Sequence, residues 1–163
     1  MIHVYDATWR DKVEAFLLKQ QSFAVLNGQT PEAFCDENVA DFKTKETVSL
    51  VFEERDIIAV ADLLKRHPID GSLWLGLFVV DERLHGTGIA TRLYEQLEHA
   101  YMRPFQTVFR LGVLPDNERA YCFWERQGYV YEKDSITARG EHVHVLKKSS
   151  TKALGPIGPS VFL

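Results

Sequence analysis

The spacing of apolar residues changes period several times along this chain. Residues 2–5 (IHVY) predict a short first strand. Trp9, Val13, Phe16 and Leu17 recur at helical spacing over residues 8–20, with Thr8 placed to cap that helix. A second helix is expected from Pro31 to about Phe42, because proline suits the first helical position and Thr30 can cap it. The stretch between them, about Gln21 to Gln29, is harder to place and is expected to stay helical for part of its length. Residues 47–53 (TVSLVFE) alternate as a strand, Glu54-Arg55-Asp56 reads as a turn, and a returning strand runs from Ile57 to about Lys65. His67 to Gly71 is a loop.

Residues 73–80 (LWLGLFVV) are apolar on both faces, as in a buried central strand. The helix expected over 87–102 turns Ile89, Ala90, Leu93, Tyr94, Leu97 and Tyr101 inward and Arg92, Glu95, Gln96, Glu98 and His99 outward, and Pro104 ends it. Residues 106–114 form the next strand, parallel to 73–80 by the right-handed crossover rule. Pro115-Asp116-Asn117 opens a short helix to about Arg126, which Gly128 closes. Strands at about 129–134 and 141–147 complete the order. The fold class is α/β (α+β): a mixed, mainly antiparallel sheet with a parallel strand–helix–strand unit at its centre and helices on both faces. Residues 1–148 read as one domain. Residues 149–163 read as a tail broken by Gly155-Pro156 and Gly158-Pro159; its apolar end, Val161-Phe162-Leu163, is either disordered or docks on a second copy to make a homodimer.

Composition narrows the partners. The chain has 163 residues and a net charge of −4, so no general nucleic-acid footprint is expected. No run of about 18 apolar residues suggests a membrane span. The first residues, MIHVYDATWRDK, lack the zones of a secretion signal. Cys35 and Cys122 stand apart, as free thiols in a reducing cytoplasm would.

The candidate chemistry begins where the strand 73–80 ends. Residues 81–91 (DERLHGTGIAT) carry two glycines into a helix start, which exposes backbone N–H groups to an anion, most often a phosphate. As a dinucleotide fingerprint the loop has Thr91 where a third glycine belongs, and no Gly-Lys-Ser/Thr follows for a Walker A loop. A plain tight turn capping a helix is the remaining structural reading.

The segment resembles the acyl-CoA-binding core of the GNAT N-acetyltransferase superfamily, whose pattern is Arg/Gln-x-x-Gly-x-Gly/Ala. Arg83-x-x-Gly86-x-Gly88 fits the letters; His85-x-x-Gly88-x-Ala90 fits the context better, with His85 replacing the usual Arg or Gln. A second stretch, NERAYCFWERQGY, resembles the family's Asn-x-x-Ala-x-x-Phe-Tyr-x-x-x-Gly-Phe motif at Asn117, Ala120, Phe123, Gly128 and Tyr129. The resemblance covers about residues 2–147. It implies that acetyl-CoA is the acyl donor and that Phe78, Val79, Val80, Arg83, His85, Gly86, Thr87, Gly88, Ile89, Ala90 and Thr91 bind it, with Asn117, Tyr121 and Trp124 flanking it. The family tyrosine that protonates the departing thiolate falls on Trp124, whose indole is no usable acid. Tyr121, one turn earlier, is the substitute expected from the sequence.

A proton acceptor is also required, because only a neutral amine attacks a thioester. Asp62 is the expected base, with Asp81 a second carboxylate near the turn. His142 and His144 share a face but lack a third ligand, so no metal is expected. The implied reaction is direct acetyl transfer to a primary amine of a small molecule or peptide. The rival is a non-catalytic acyl-CoA-binding module of the same fold. The acidic balance leans toward a cationic acceptor such as a polyamine, an aminoglycoside or a lysine side chain.

Overall fold

The computed structural model of the protein describes residues 1–41, 47–137 and 140–150. The expected helix end at Phe42 and the apolar end of the tail lie outside the described residues. Seven strands form one sheet in the order β1 (Ile2–Val4), β2 (Thr47–Glu53), β3 (Ile57–Leu64), β4 (Leu73–Val80), β5 (Val108–Val113), β7 (His142–Ser149) and β6 (Val130–Ile136). The pairs β1–β2, β2–β3, β5–β7 and β6–β7 are antiparallel, and β4–β5 is parallel. The mixed, mainly antiparallel sheet with a parallel unit is therefore present. By contact density the chain divides into two compact units, Met1–Leu64 with Leu75–Leu93, and Lys65–Trp74 with Tyr94 onward.

The first unit holds the helices α1 (Arg10–Leu18), α2 (Gln21–Leu26) and α3 (Pro31–Asp41). Asp6, not Thr8, caps the single turn Ala7–Trp9 that precedes α1, because the Asp6 carboxylate accepts the Thr8 N–H at 2.8 Å and the Thr8 hydroxyl as well. Thr30 does cap α3, accepting the Ala33 N–H at 3.1 Å. Residues 21–26 of the stretch expected to stay partly helical form the short helix α2 behind the buried Gln20, whose amide donates back to the Phe16 carbonyl at 3.0 Å. Val13, Phe16 and Leu17 of α1 and Phe34 and Cys35 of α3 pack with Val51, Val60 and Val79 of the sheet. Burying one such side chain is worth about 1.5–3 kcal/mol, and the aggregate holds these short helices in place. Burial also pushes the Cys35 thiol up to about 11, so it stays protonated.

In the second unit β5 is flanked by β7, and β5 residues Val108 to Val113 pair with β7 residues Ser149 to His144 in antiparallel register. Arg110 on β5 forks onto Glu132 on β6, with both N···O distances 2.9 Å. Helix α5 (Glu118–Arg126) ends where Gly128 takes φ 98° and Tyr129 donates back to the Trp124 carbonyl at 3.1 Å.

Two expectations fail here. Strand β4 is central but not buried throughout: Gly76 is exposed, and Trp74, Leu77 and Phe78 are half-buried. Glu98 does not face out. It is 3% exposed, one turn beyond Tyr94 on the buried stripe, so its spacing placed it inside although its charge argued for solvent. Helix α4 (Ile89–Leu97) runs into a π-turn over Glu98–Met102. Glu98 accepts from Tyr94 at 2.9 Å, Lys148 at 2.6 Å and Arg103 at 2.7 Å, while the Tyr94 and Tyr129 hydroxyls meet at 2.7 Å. Burial would raise the Glu98 pKa, but hydrogen bonds from Lys148 and Tyr94 outweigh it and hold the carboxyl below its usual value.

Glu98→Ala leaves Lys148 and Arg103 without their shared carboxylate and is expected to cost about 3–5 kcal/mol at neutral pH. Urea unfolding measures this. Because the native pKa of Glu98 is lowered, its contribution is present above the unfolded carboxylate value and is lost as pH falls through the native one. The gap between variant and wild type should therefore narrow in acid; a gap independent of pH would contradict the network.

Candidate functional site

In the first unit the chain leaves β4 through Asp81, which is buried and caps the turn Glu82–Leu84 by accepting the Arg83 N–H at 3.0 Å. Arg83 then folds its guanidinium back on Asp81 at 2.7 Å while its side chain stays 76% exposed. The Arg83 hydrogen bond is the main reason the Asp81 carboxyl lies below its usual range. His85 turns the other way: its Nε2 lies 3.0 Å from the Val80 carbonyl and so carries the proton, and its ring meets Phe23 edge-on. Neither side chain is aimed as a free cation at the loop.

Gly86 and Gly88 have φ of 78° and 85°, and a Cβ at either would meet nothing within 4 Å. Glycine is thus required there by backbone conformation, and the space over the loop is open. Thr87 donates its hydroxyl to the Leu84 carbonyl and accepts the Ile89 N–H at 3.4 Å. Arg92 N–H donates to the Gly88 carbonyl, so the helix begins at Ile89 and the N–H groups of Ile89, Ala90 and Thr91 lie in its first turn. First-turn N–H groups lack intrahelical acceptors and carry the positive end of the helix dipole. The open, glycine-lined helix start fits a phosphate group. Upstream, Val79 and Val80 are buried and Phe78 packs edge-on against Phe52.

A link that the sequence did not suggest ties α2 to this loop. The Gln20 side-chain oxygen accepts the Glu82 N–H at 3.0 Å, and the Glu82 carboxylate accepts the Ser22 N–H at 3.1 Å. Asp62 sits on β3 opposite Ser49, 8% exposed, and accepts the Ser49 hydroxyl at 2.7 Å.

The second unit separates the two aromatic candidates. Asn117 caps α5 by accepting the Ala120 N–H at 3.1 Å. Trp124 is 8% exposed and packs edge-to-face with Tyr94, Phe123 and Tyr129 at centroid distances of 5.1, 4.9 and 5.5 Å. Tyr121 instead lines a cavity of about 370 Å³ with Pro115, Glu118, Cys122, Tyr131 and His144. Cys122 is a free, exposed thiol. His144 Nδ1 lies 2.7 Å from the Asp134 carboxylate, which also accepts the Tyr131 hydroxyl at 3.1 Å. The sequence showed only that His142 and His144 share a face. No group of three or more metal-ligating side chains occurs among the described residues.

The acetyltransferase (GNAT) family profile matches residues 5–129. The chain belongs to the GNAT acetyltransferase family. Among solved structures of that fold, an acetyltransferase from Thermus thermophilus superposes with a TM-score of 0.74 at 15% identity, covering 91% of this chain and 97% of that one. A spermidine N-acetyltransferase SpeG chimera from Vibrio cholerae and hSSAT gives 0.67 at 16% identity, with 94% and 97% covered. An aminoglycoside 6'-N-acetyltransferase complexed with coenzyme A gives 0.65 at 16% identity, with 91% and 96% covered. No curated protein matches the sequence. Among the described residues, no helix is long and apolar enough to cross a membrane.

Gly88→Ala forces a Cβ into the left-handed region and is expected to cost about 1–2 kcal/mol. Because the surrounding space is open, the loss should come from the loop's conformation alone. Thermal unfolding measures the cost, and calorimetric titration with coenzyme A should show weakened binding; a variant that binds as tightly as the wild type would show that the loop is not the phosphate cradle.

Proposed function

We propose that this protein is an acetyl-CoA-dependent N-acetyltransferase that moves an acetyl group to a primary amine by direct transfer. The observation that carries this reading is the open, left-handed Gly86/Gly88 loop at the start of α4 in a chain of the GNAT family. Backbone donors over residues 85–91 would hold the pyrophosphate. The amides of the pantetheine arm would pair like a strand with residues 78–80, beyond the β4–β5 rung at Trp74 and Arg110. Since Arg83 is folded onto Asp81 and His85 onto Val80, the cradle rests on backbone groups more than on side chains.

Tyr121 would return a proton to the departing thiolate. Its place in the cavity lining supports that role over Trp124, which is buried among other rings. Asp62, buried on β3 of the first unit, is the proposed base, with Asp81 the alternative carboxylate. The acceptor class, a cationic amine of a small molecule or peptide, rests on the net charge of −4 and on the fold shared with spermidine and aminoglycoside acetyltransferases. The free Cys35 and Cys122 thiols fit a reducing, cytoplasmic setting. The second reading, a non-catalytic acyl-CoA-binding module, is favoured by one residue: Trp124 stands where the family's acidic tyrosine belongs.

The two readings part on turnover. Acetyl-CoA should raise the melting temperature in either case, but only an enzyme releases coenzyme A steadily when an amine panel including spermidine and an aminoglycoside is added. Tyr121→Phe should then lower kcat about a hundredfold with little change in the KM for acetyl-CoA. Full turnover in that variant would remove Tyr121 from the acid role.

A further inference from the structure

Helix α2 and the glycine loop both belong to the first unit, and the short turn before the loop grips the helix. Glu82 opens that turn, and its N–H donates to the Gln20 side-chain oxygen at 3.0 Å. In return its carboxylate accepts the Ser22 N–H, in the first turn of α2, at 3.1 Å. N–H groups at the start of a helical turn have no acceptor within it. The exchange has the reciprocal form of a capping box, closed here between segments sixty residues apart. Gln20 is itself fixed: it is buried, and its amide donates to the Phe16 carbonyl of α1 at 3.0 Å. His85, at the end of the same turn, meets Phe23 of α2 edge-on at 6.4 Å.

Neither partner is rigid by itself. Helix α2 has six residues, too few to stand without outside support. Ala24 lies in the core and Phe23 stacks on Phe34 at 6.3 Å, while Gln21, Ser22 and Val25 are exposed. The loop has glycine at positions 86 and 88, which leaves its backbone more freedom to lose on ordering than other residues would. The turn joins the two closely. The His85 N–H bonds to the Glu82 carbonyl and the Thr87 N–H to the Leu84 carbonyl, each at 3.3 Å. An anion that orders residues 86–91 therefore also orders the turn and, through Glu82, α2. Conversely, a docked α2 fixes the entry to the loop and lowers the ordering cost of binding.

We propose that Glu82 is a positioning residue that couples α2 to the anion loop: a docked α2 readies the loop, and an anion on the loop fastens α2. The inference rests on reading residues 85–91 as the acetyl-CoA cradle. Such coupling is reciprocal, so a ligand on the loop protects α2 by the same free energy with which α2 favours the ligand.

Coenzyme A is the probe, and amide hydrogen exchange over residues 20–29 is the readout. In that segment the Ala24 N–H bonds to the Gln20 carbonyl, and the Asn27 and Gln29 N–H groups bond to the Ala24 carbonyl, so their protection reports α2 rather than the loop. Saturating coenzyme A should slow their exchange about fivefold or more in the wild type. Glu82→Gln and Glu82→Ala both remove the charge, but only glutamine keeps an acceptor for the Ser22 N–H. Glu82→Gln should retain the slowing. Glu82→Ala should lose it, and should bind coenzyme A about fivefold or more weakly than Glu82→Gln in calorimetric titration. A merely structural contact would speed α2 exchange in Glu82→Ala without changing its affinity for coenzyme A. Equal affinities of the two variants therefore overturn the proposal. Slowing that persists in Glu82→Ala overturns it as well, because α2 and the loop would then communicate by another route. Wild-type protein that binds coenzyme A with α2 exchange unchanged overturns the coupling and leaves the cradle standing. If the wild type does not bind coenzyme A, the cradle reading falls and the coupling with it. The wild-type exchange measurement needs no substitution, so it decides the matter even where a variant fails to fold.

Discussion

Parallel strands cannot be joined by a tight turn, and that constraint shapes this molecule more than any single contact. The chain that leaves the end of β4 must cross over as a helix before it can return as β5. It therefore has to change direction within residues 81–88, and it does so with a capped turn at Asp81 followed by two left-handed glycines. The same bend that solves the topological problem brings the start of α4 beyond the end of a central strand. Glycine is demanded there by φ, not by crowding, since a Cβ would find open space at both positions.

In the second unit the two large aromatics of α5, Tyr121 and Trp124, sit in different surroundings. The Trp124 ring packs edge-to-face with Tyr94 and Tyr129 and adds apolar area to that cluster. The buried polar demand of that cluster is met elsewhere, by the Tyr94–Tyr129 hydroxyl pair and by Glu98 with its two cations. Burial raises the Tyr94 and Tyr129 pKa values well above the ordinary tyrosine range, so both stay neutral and neither is a ready acid. Tyr121, three residues before Trp124, is the aromatic hydroxyl of α5 that faces a cavity.

Regular elements were legible wherever local pattern and tertiary context agreed. Residues 47–53 and 73–80 form strands with the expected bounds, because alternation and a continuous apolar run are local signals of strand burial. Ahead of α1 the pattern misplaced the cap by two residues, since the Asp6 carboxylate takes both the Thr8 N–H and the Thr8 hydroxyl and caps a separate single turn over Ala7–Trp9. At Glu98 the charge misled, because Tyr94 one turn back, Arg103 just beyond and Lys148 from distant β7 together offset its desolvation.

By itself the sequence determined the element order, the parallel unit, the glycine loop and the two motifs that resemble an acyl-CoA-binding family. All of these are encoded within short windows by periodicity, φ preference and spacing. Only the tertiary structure decided what the side chains near those motifs do. It folded Arg83 onto Asp81 and His85 onto Val80, buried Trp124, and linked Gln20 and Ser22 to Glu82. By inserting β7 between β5 and β6, it also set His144 opposite Val113 on one side and beside Asp134 on the other. Strand insertion and cross-strand register depend on pairings between distant segments, and no local period records which distant strand a histidine will face.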